Sequence, residues 1–331
     1  MKNFTCQCGQ LLFFENTRCL SCERALGYHP QRQELLPLDN DSGLLVDGQF
    51  LPLCRNGVDY DVCNWLVLEN GAEYCMSCTL NDTIPSLVTA TRRGWWKSLE
   101  HAKRRLIYSL VQLGLGPAQT SSVKPVAFQF IEDQRTNPYV SEEYVSTGYH
   151  DGLITINISE ADDVSREITR LNQGEPYRTL LGHFRHESGH HYFDALVLGA
   201  GRQQGFRELF GDESADYSAA IESYYNNKLG LQQDNNFISL YAQSHPLEDW
   251  AECWAHYLHM YDTVDTALAF ELNMQAVRLS DFDELTAAWH QLSMALNGLN
   301  RSMGLVDAYP FVVTSEVLRK LRFVHESIYP S

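Results

Sequence analysis

Residues 186–190 read His-Glu-Ser-Gly-His, within a stretch from Tyr177 to about Leu198 whose pattern predicts a helix. On a helix, His186 and His190 project from one face and Glu187 points beside them into the same small volume. Two neutral imidazoles can hold Zn²⁺ and a third protein ligand can complete the anchor. A water in the fourth position then becomes acidic enough for a carboxylate to deprotonate it near neutral pH. Pro176 suits a first helical position because it lacks an N–H, and Gly199 and Gly201 give the helix a place to stop. Leu180, Leu181, Phe184, Phe193, Leu196 and Val197 flank the motif, so the helix is expected to be buried over much of its circumference. Two histidines and a carboxylate in such a helix are costly unless paired or bound to metal. The plainer alternative is a set of satisfied core histidines.

A second helix is expected after His245-Pro246, over Leu247 to Leu258 and on to 261, again with proline at its start and aromatic residues at helical spacing. Glu248 and Glu252 are four residues apart and share a face. One of the two carboxylates can ligate zinc while the other accepts a hydrogen bond from a ligand imidazole and fixes its tautomer. The alternative is a solvated acidic edge, where negative charge complements the helix dipole.

With these residues the chain resembles the gluzincin metallopeptidases, the branch that includes anthrax lethal factor in particular. It is closer to a bacterial family of zinc-binding metallopeptidases with an N-terminal zinc ribbon. The resemblance is carried by Arg185 through Asp194 and by His245 through His259, and extends over nearly the whole chain. It implies that His186, His190 and Glu248 are the catalytic zinc ligands, that Glu187 is the general base and that Glu252 orients a ligand imidazole. Tyr241, seven residues before Glu248, stands where the lethal-factor-like branch has a tyrosine that stabilises the oxyanion. The chain departs from that branch at Asp249, where an aromatic residue is usual. The implied reaction is hydrolysis of peptide bonds in a peptide or protein substrate.

Three neighbours are expected to stay outside the ligand set. Asp194 lies one turn past His190, too close in sequence to complete a tetrahedron, and should hydrogen-bond around the ligands or form a salt bridge. His191 points a quarter-turn away and should pack. His245 could donate to a developing oxyanion or cap the helix it precedes.

The chain has nine cysteines. Cys6, Cys8, Cys19 and Cys22 read as a zinc ribbon with Leu11 to Phe14 as a strand, although its first pair is Cys-x-Cys instead of the usual Cys-x-x-Cys. Cys54, Cys63, Cys75 and Cys78 end in a true Cys-x-x-Cys and are expected to hold a second structural zinc. Disulfides or buried thiols are the alternative for all eight. Cys253 reads as core packing. The N-terminus has no apolar run of signal-peptide length and no segment approaches the roughly 18 apolar residues of a membrane span, so a cytoplasmic location is expected. Reduced thiols there favour metal sites over disulfides.

A net charge of −17 argues against a nucleic-acid surface. The cluster Arg92, Arg93, Lys97, Lys103, Arg104 and Arg105 reads as the solvated basic face of a packed helix over 95–113. Further strands are expected at Gly43 to Leu53, Asn64 to Leu68, Val126 to Ile131 and Gly152 to Ile158. Further helices are expected at 163–172, 207–228, 263–271, 281–298 and 315–328. The fold class is therefore α+β: a zinc ribbon over 1–28, a second cysteine-rich zinc-binding region over 29–90, and a mainly helical metallopeptidase domain with a small sheet over 91–331. Two rival readings make the chain a zinc-stabilised binding or regulatory protein, or one whose N-terminal zinc modules recruit a partner.

Overall fold

The computed structural model describes residues 2–40, 42–116, 124–173, 175, 177–272 and 277–330. The chain is α+β and divides into two units. One comprises Met1–Gln112, Val126–Gly148 and Leu153–Thr169; the other comprises Leu113–Pro125, Tyr149–Gly152 and Arg170–Ser331. None of the described helices is long and apolar enough to cross a membrane.

The first unit begins with three two-stranded antiparallel sheets: β1 (Phe4–Thr5) with β2 (Leu11–Leu12), β3 (Leu26–His29) with β4 (Glu34–Pro37), and β5 (Gly43–Val46) with β6 (Gln49–Pro52). The single strand expected over 43–53 is thus a hairpin. Asp47 and Gly48 both have positive φ, 49° and 83°, as the tight turn between twisted strands requires. The strand expected over 64–68 contributes only isolated bridges, Tyr28 with Trp65 and Leu53 with Leu66. After α1 (Arg55–Tyr60) and β7 (Asn81–Thr83) comes α2 (Ala90–Gln112), then β8 (Ala127–Ile131), β9 (Gly148–His150) and β10 (Leu153–Asn157). β7, β8 and β10 run parallel in that order. Alternation buries Phe128, Phe130, Ile154 and Ile156, and Lys103 of α2 lies over the Phe128 and Phe130 rings.

The basic cluster on α2 is only in part the solvated face expected of it: Arg93 and Arg105 are exposed and Lys97 is half-exposed. Lys103 and Arg104 are buried, and Lys103 pairs with buried Glu100 at 3.0 Å. Arg92 pairs with Glu132 at 2.6 Å, Lys97 with Asp61 at 2.5 Å, and Arg105 with Glu15. Lys103 and Arg104 are internal because the second half of α2 is packed around most of its circumference.

After α3 (Asp163–Gln173), the second unit is built from α4 (Leu180–Phe193), α5 (Gln203–Phe210), α6 (Tyr217–Asn227), α7 (Pro246–Ala269), α8 (Phe282–Ser302) and α9 (Ser315–Ile328). α4 begins later than its pattern predicted, because the Thr179 hydroxyl accepts from the Gly182 N–H and caps it. Pro176 lies outside the described residues. α4 ends in a π-helical turn over Asp194–Leu198, where the Gly199 N–H reaches back five residues to the Asp194 carbonyl. The helix expected over 207–228 is two, separated where Gly211 has φ 102° and Asp216 caps α6. The helices expected at 246–261 and 263–271 are one, since no residue near 262 breaks α7.

α4 and α7 cross at Gly189. A Cβ added there would lie 2.9 Å from Ala251 Cα and 3.2 Å from the Trp254 ring, so only glycine admits this approach. The crossing is sewn by the Trp250 indole, which donates to the Gly189 carbonyl at 2.8 Å, and the Trp254 indole, which donates to Ser188 Oγ at 3.0 Å. Arg185 pairs with Asp262 further along at 2.5 Å. Both tryptophans are fully buried. Gly189→Ala should therefore overpack the crossing and cost about 1–3 kcal/mol of stability, read as a lower urea midpoint at unchanged slope.

Candidate metal centres

The cysteines of the first unit gather as the sequence spacing predicts. Cys6, Cys8, Cys19 and Cys22 form one cluster and Cys54, Cys63, Cys75 and Cys78 another, with all Sγ atoms of a cluster within 4.8 Å of one another. Sγ–Sγ distances are 3.6 Å for Cys6–Cys22 and for Cys8–Cys19, and 3.7 Å for Cys63–Cys75. Four thiolates about 2.3 Å from one Zn²⁺ would stand about 3.8 Å apart in a tetrahedron. A disulfide needs about 2.05 Å. The spacing therefore fits zinc and not bridges, and all nine cysteines are free.

Local structure fixes the thiols. The Gln10 N–H beside Cys8 lowers that thiol to about 6, favouring the thiolate a metal requires. In the second quartet Cys54 precedes α1, the Cys75 N–H points at Cys54 Sγ at 3.4 Å, and the Trp65 N–H points at Cys63 Sγ at 3.5 Å. The Arg104 guanidinium is buried beside this quartet. Burial opposes its charge, but Cys63, Glu100, Cys78 and Cys75 outweigh that and hold it protonated. A cation placed there offsets the net negative charge of four thiolates around a divalent ion.

The third cluster lies in the second unit at the α4–α7 crossing and consists of His186, His190 and Glu248. His186 Nε2 is 2.9 Å from Glu248 Oε2, and His190 Nε2 is 3.5 Å from Glu248 Oε1. These distances bracket the roughly 3.3 Å edge of a tetrahedron with metal–ligand bonds of about 2.0 Å. His186 Nδ1 meets Glu252 Oε1 at 2.8 Å. A carboxylate there makes Nδ1 the protonated nitrogen and leaves the Nε2 lone pair for a metal. The spacings of four on both helices thus bring two imidazoles and two carboxylates together. Burial opposes the charge on His186, yet Glu248 and Glu252 hold its pKa well above the usual imidazole value. Burial likewise opposes the Glu248 carboxylate, and His186 and His190 hold it well below the usual range. Glu187 is buried, and burial raises its pKa.

The surroundings assign each remaining candidate. Tyr241 packs its ring against His186 with centroids 5.8 Å apart, and burial followed by the Glu248 charge pushes its phenol far above the usual value. Asp194 accepts from the Tyr149 hydroxyl at 3.0 Å, and the Tyr149 ring stacks on His190. His191 is buried, which lowers its pKa to about 4. His245 does not reach toward an oxyanion: Nδ1 accepts from the Leu247 N–H and Nε2 meets the Ala215 carbonyl, each at 3.1 Å. Asp249, where the resembling branch has an aromatic residue, pairs with buried Lys320 of α9 at 2.6 Å.

Two hydroxyls were invisible to sequence reasoning. Tyr217 donates to Glu248 Oε1 at 2.6 Å, and Ser239 donates to Glu252 Oε2 at 2.5 Å. No spacing rule links Tyr217 to a carboxylate 31 residues away. Ser239, in the segment that precedes α7, carries a signal only in being a hydroxyl near the acidic pair.

Residues 92–327 match a family model described as "Putative zinc-binding metallo-peptidase", and residues 3–89 match a zinc-ribbon domain model. Uncharacterized proteins of Mycobacterium bovis and of two strains of Mycobacterium tuberculosis are 40% identical to this chain over 338 aligned residues, covering 98% of it and 94% of the relative. No solved structure matches.

The two quartets differ in access: Cys8 and Cys22 are exposed, whereas all four thiols of the second quartet are buried. A chelator titration of zinc-loaded protein, followed by metal release, should empty the first quartet at lower chelator concentration than the second. Cys8→Ser and Cys54→Ser identify which step belongs to which cluster.

Proposed function

The chain belongs to this family of zinc-binding metallopeptidases, and we propose that it is a zinc-dependent hydrolase of peptide bonds with Glu187 as general base. The observation that carries the reading is the convergence of His186 Nε2, His190 Nε2 and the Glu248 carboxylate at the α4–α7 crossing, with Glu187 buried beside them. Zn²⁺ held by these three residues would supply Lewis acidity toward a carbonyl and a water at the site.

The chain's own residues do the rest. Glu252 accepts from His186 Nδ1–H and keeps the ring in the tautomer that presents Nε2. Glu187, its pKa raised by burial, takes the proton of the attacking water and returns it to the leaving amine. Tyr241 keeps its proton and is the donor to the tetrahedral oxyanion. In this reading the two cysteine quartets hold structural zinc ions, the substrate is a peptide or protein, and the protein works in the cytoplasm. The acidic net charge assigns nucleic acid no part.

The test is cleavage of a mixed peptide library by purified, zinc-loaded protein. Glu187→Gln should retain the parent zinc content yet lose about 100-fold or more in turnover. His186→Ala should lose one zinc equivalent and all hydrolysis. Parent-level turnover in Glu187→Gln would remove Glu187 from the mechanism.

A further inference from the structure

Tyr217 is the first residue of α6, and its hydroxyl lies 2.6 Å from Glu248 Oε1. Because an ionised carboxylate only accepts, the phenol donates. Oε1 is also the oxygen 3.5 Å from His190 Nε2, while Oε2 faces His186 Nε2 at 2.9 Å. The carboxylate is therefore gripped on both oxygens. Without the phenol, Glu248 could rotate between one-oxygen and two-oxygen approaches to the space between the imidazoles.

The phenol is itself held. His245 is 3% exposed and uses both ring nitrogens on backbone, one on the Leu247 N–H at the start of α7 and one on the Ala215 carbonyl two residues before Tyr217. Its ring packs edge-on against the Tyr217 ring with centroids 5.2 Å apart. The Asp216 carboxylate caps α6 by accepting from the Ala219 N–H at 3.0 Å. The starts of α6 and α7 are thus tied together, and the tie sets the reach of the Tyr217 hydroxyl to Glu248.

We infer that Tyr217 is a positioning residue for the metal, fixing Glu248 as a zinc ligand through its hydrogen bond to Oε1. The inference rests on the reading of His186, His190 and Glu248 as ligands. Tyr241 neighbours the same pair, its side chain hydrogen-bonding Tyr217 and its ring packing against His186, but only Tyr217 has a hydrogen bond to Glu248.

The experiment measures Zn²⁺ affinity at the helix-borne site in full-length protein by competition with a chromogenic chelator, with zinc in the cysteine quartets as internal reference. Tyr217→Phe should weaken that site about 10-fold or more and leave the quartets unchanged. It should also alter the visible spectrum of the Co²⁺-substituted site. Tyr241→Phe, which leaves the Tyr217–Glu248 hydrogen bond in place, should weaken the site less than Tyr217→Phe does. His245→Asn, which retains a capping acceptor but loses the donor to Ala215, should weaken zinc binding by a smaller factor and guards against misfolding of one variant. Parent affinity in Tyr217→Phe overturns the inference, with or without a loss of turnover. If His186→Ala keeps its zinc, the ligand reading fails instead.

Discussion

The close approach of α4 and α7 at Gly189 and Ala251 is the constraint on which the helix-borne site depends. A helix pair normally stands 8–10 Å apart, and small residues at the contact draw the axes together. Here the missing side chain lies between His186 and His190, one residue before the second histidine. Ala251 lies between Glu248 and Glu252, so the contact point is flanked by imidazoles on one helix and carboxylates on the other. The indoles of Trp250 and Trp254 then lock the register by bonding to Gly189 and Ser188. The two unspecified positions of the motif, Ser188 and Gly189, are thus the ones that set the distance between ligand sets.

What could be read from the sequence was what obeys short spacing rules. His186 and His190, Glu248 and Glu252, and both cysteine quartets are each local patterns, and each gathers in space. What escaped depends on contacts between distant segments. The Tyr217 hydroxyl meets Glu248 only because residues 211–216 break the helix expected there and turn α6 toward the start of α7. The role of Asp249 is set by Lys320, 71 residues later. The Asp47-Gly48 turn was legible in the sequence, since that dipeptide favours two successive positive φ values; the apolar run on either side of it read as one strand instead.

The basic residues of α2 show the limit of composition in another way. Arg92, Lys97 and Arg105 find carboxylates, Lys103 is buried against Glu100, and Arg104 stands beside buried thiols. A charge run at helical spacing describes a face only if the helix has a free one. In α2 the two buried charges serve internal balance, Lys103 against Glu100 and Arg104 beside Cys63, Cys75 and Cys78.

The contrast between the metal clusters has a consequence for assembly. The helix-borne cluster sits on long helices joined by tryptophans, with Glu248 and Glu252 on either side of the His186 ring. Its geometry is a property of the folded chain, so the ion can arrive late and leave again. The cysteine clusters are carried by strands of two to four residues and by loops. An ion bound there would take part in the folding reaction. One element would thus enter the same polypeptide on two schedules, first to complete its architecture and afterwards to occupy a helix crossing that is already built.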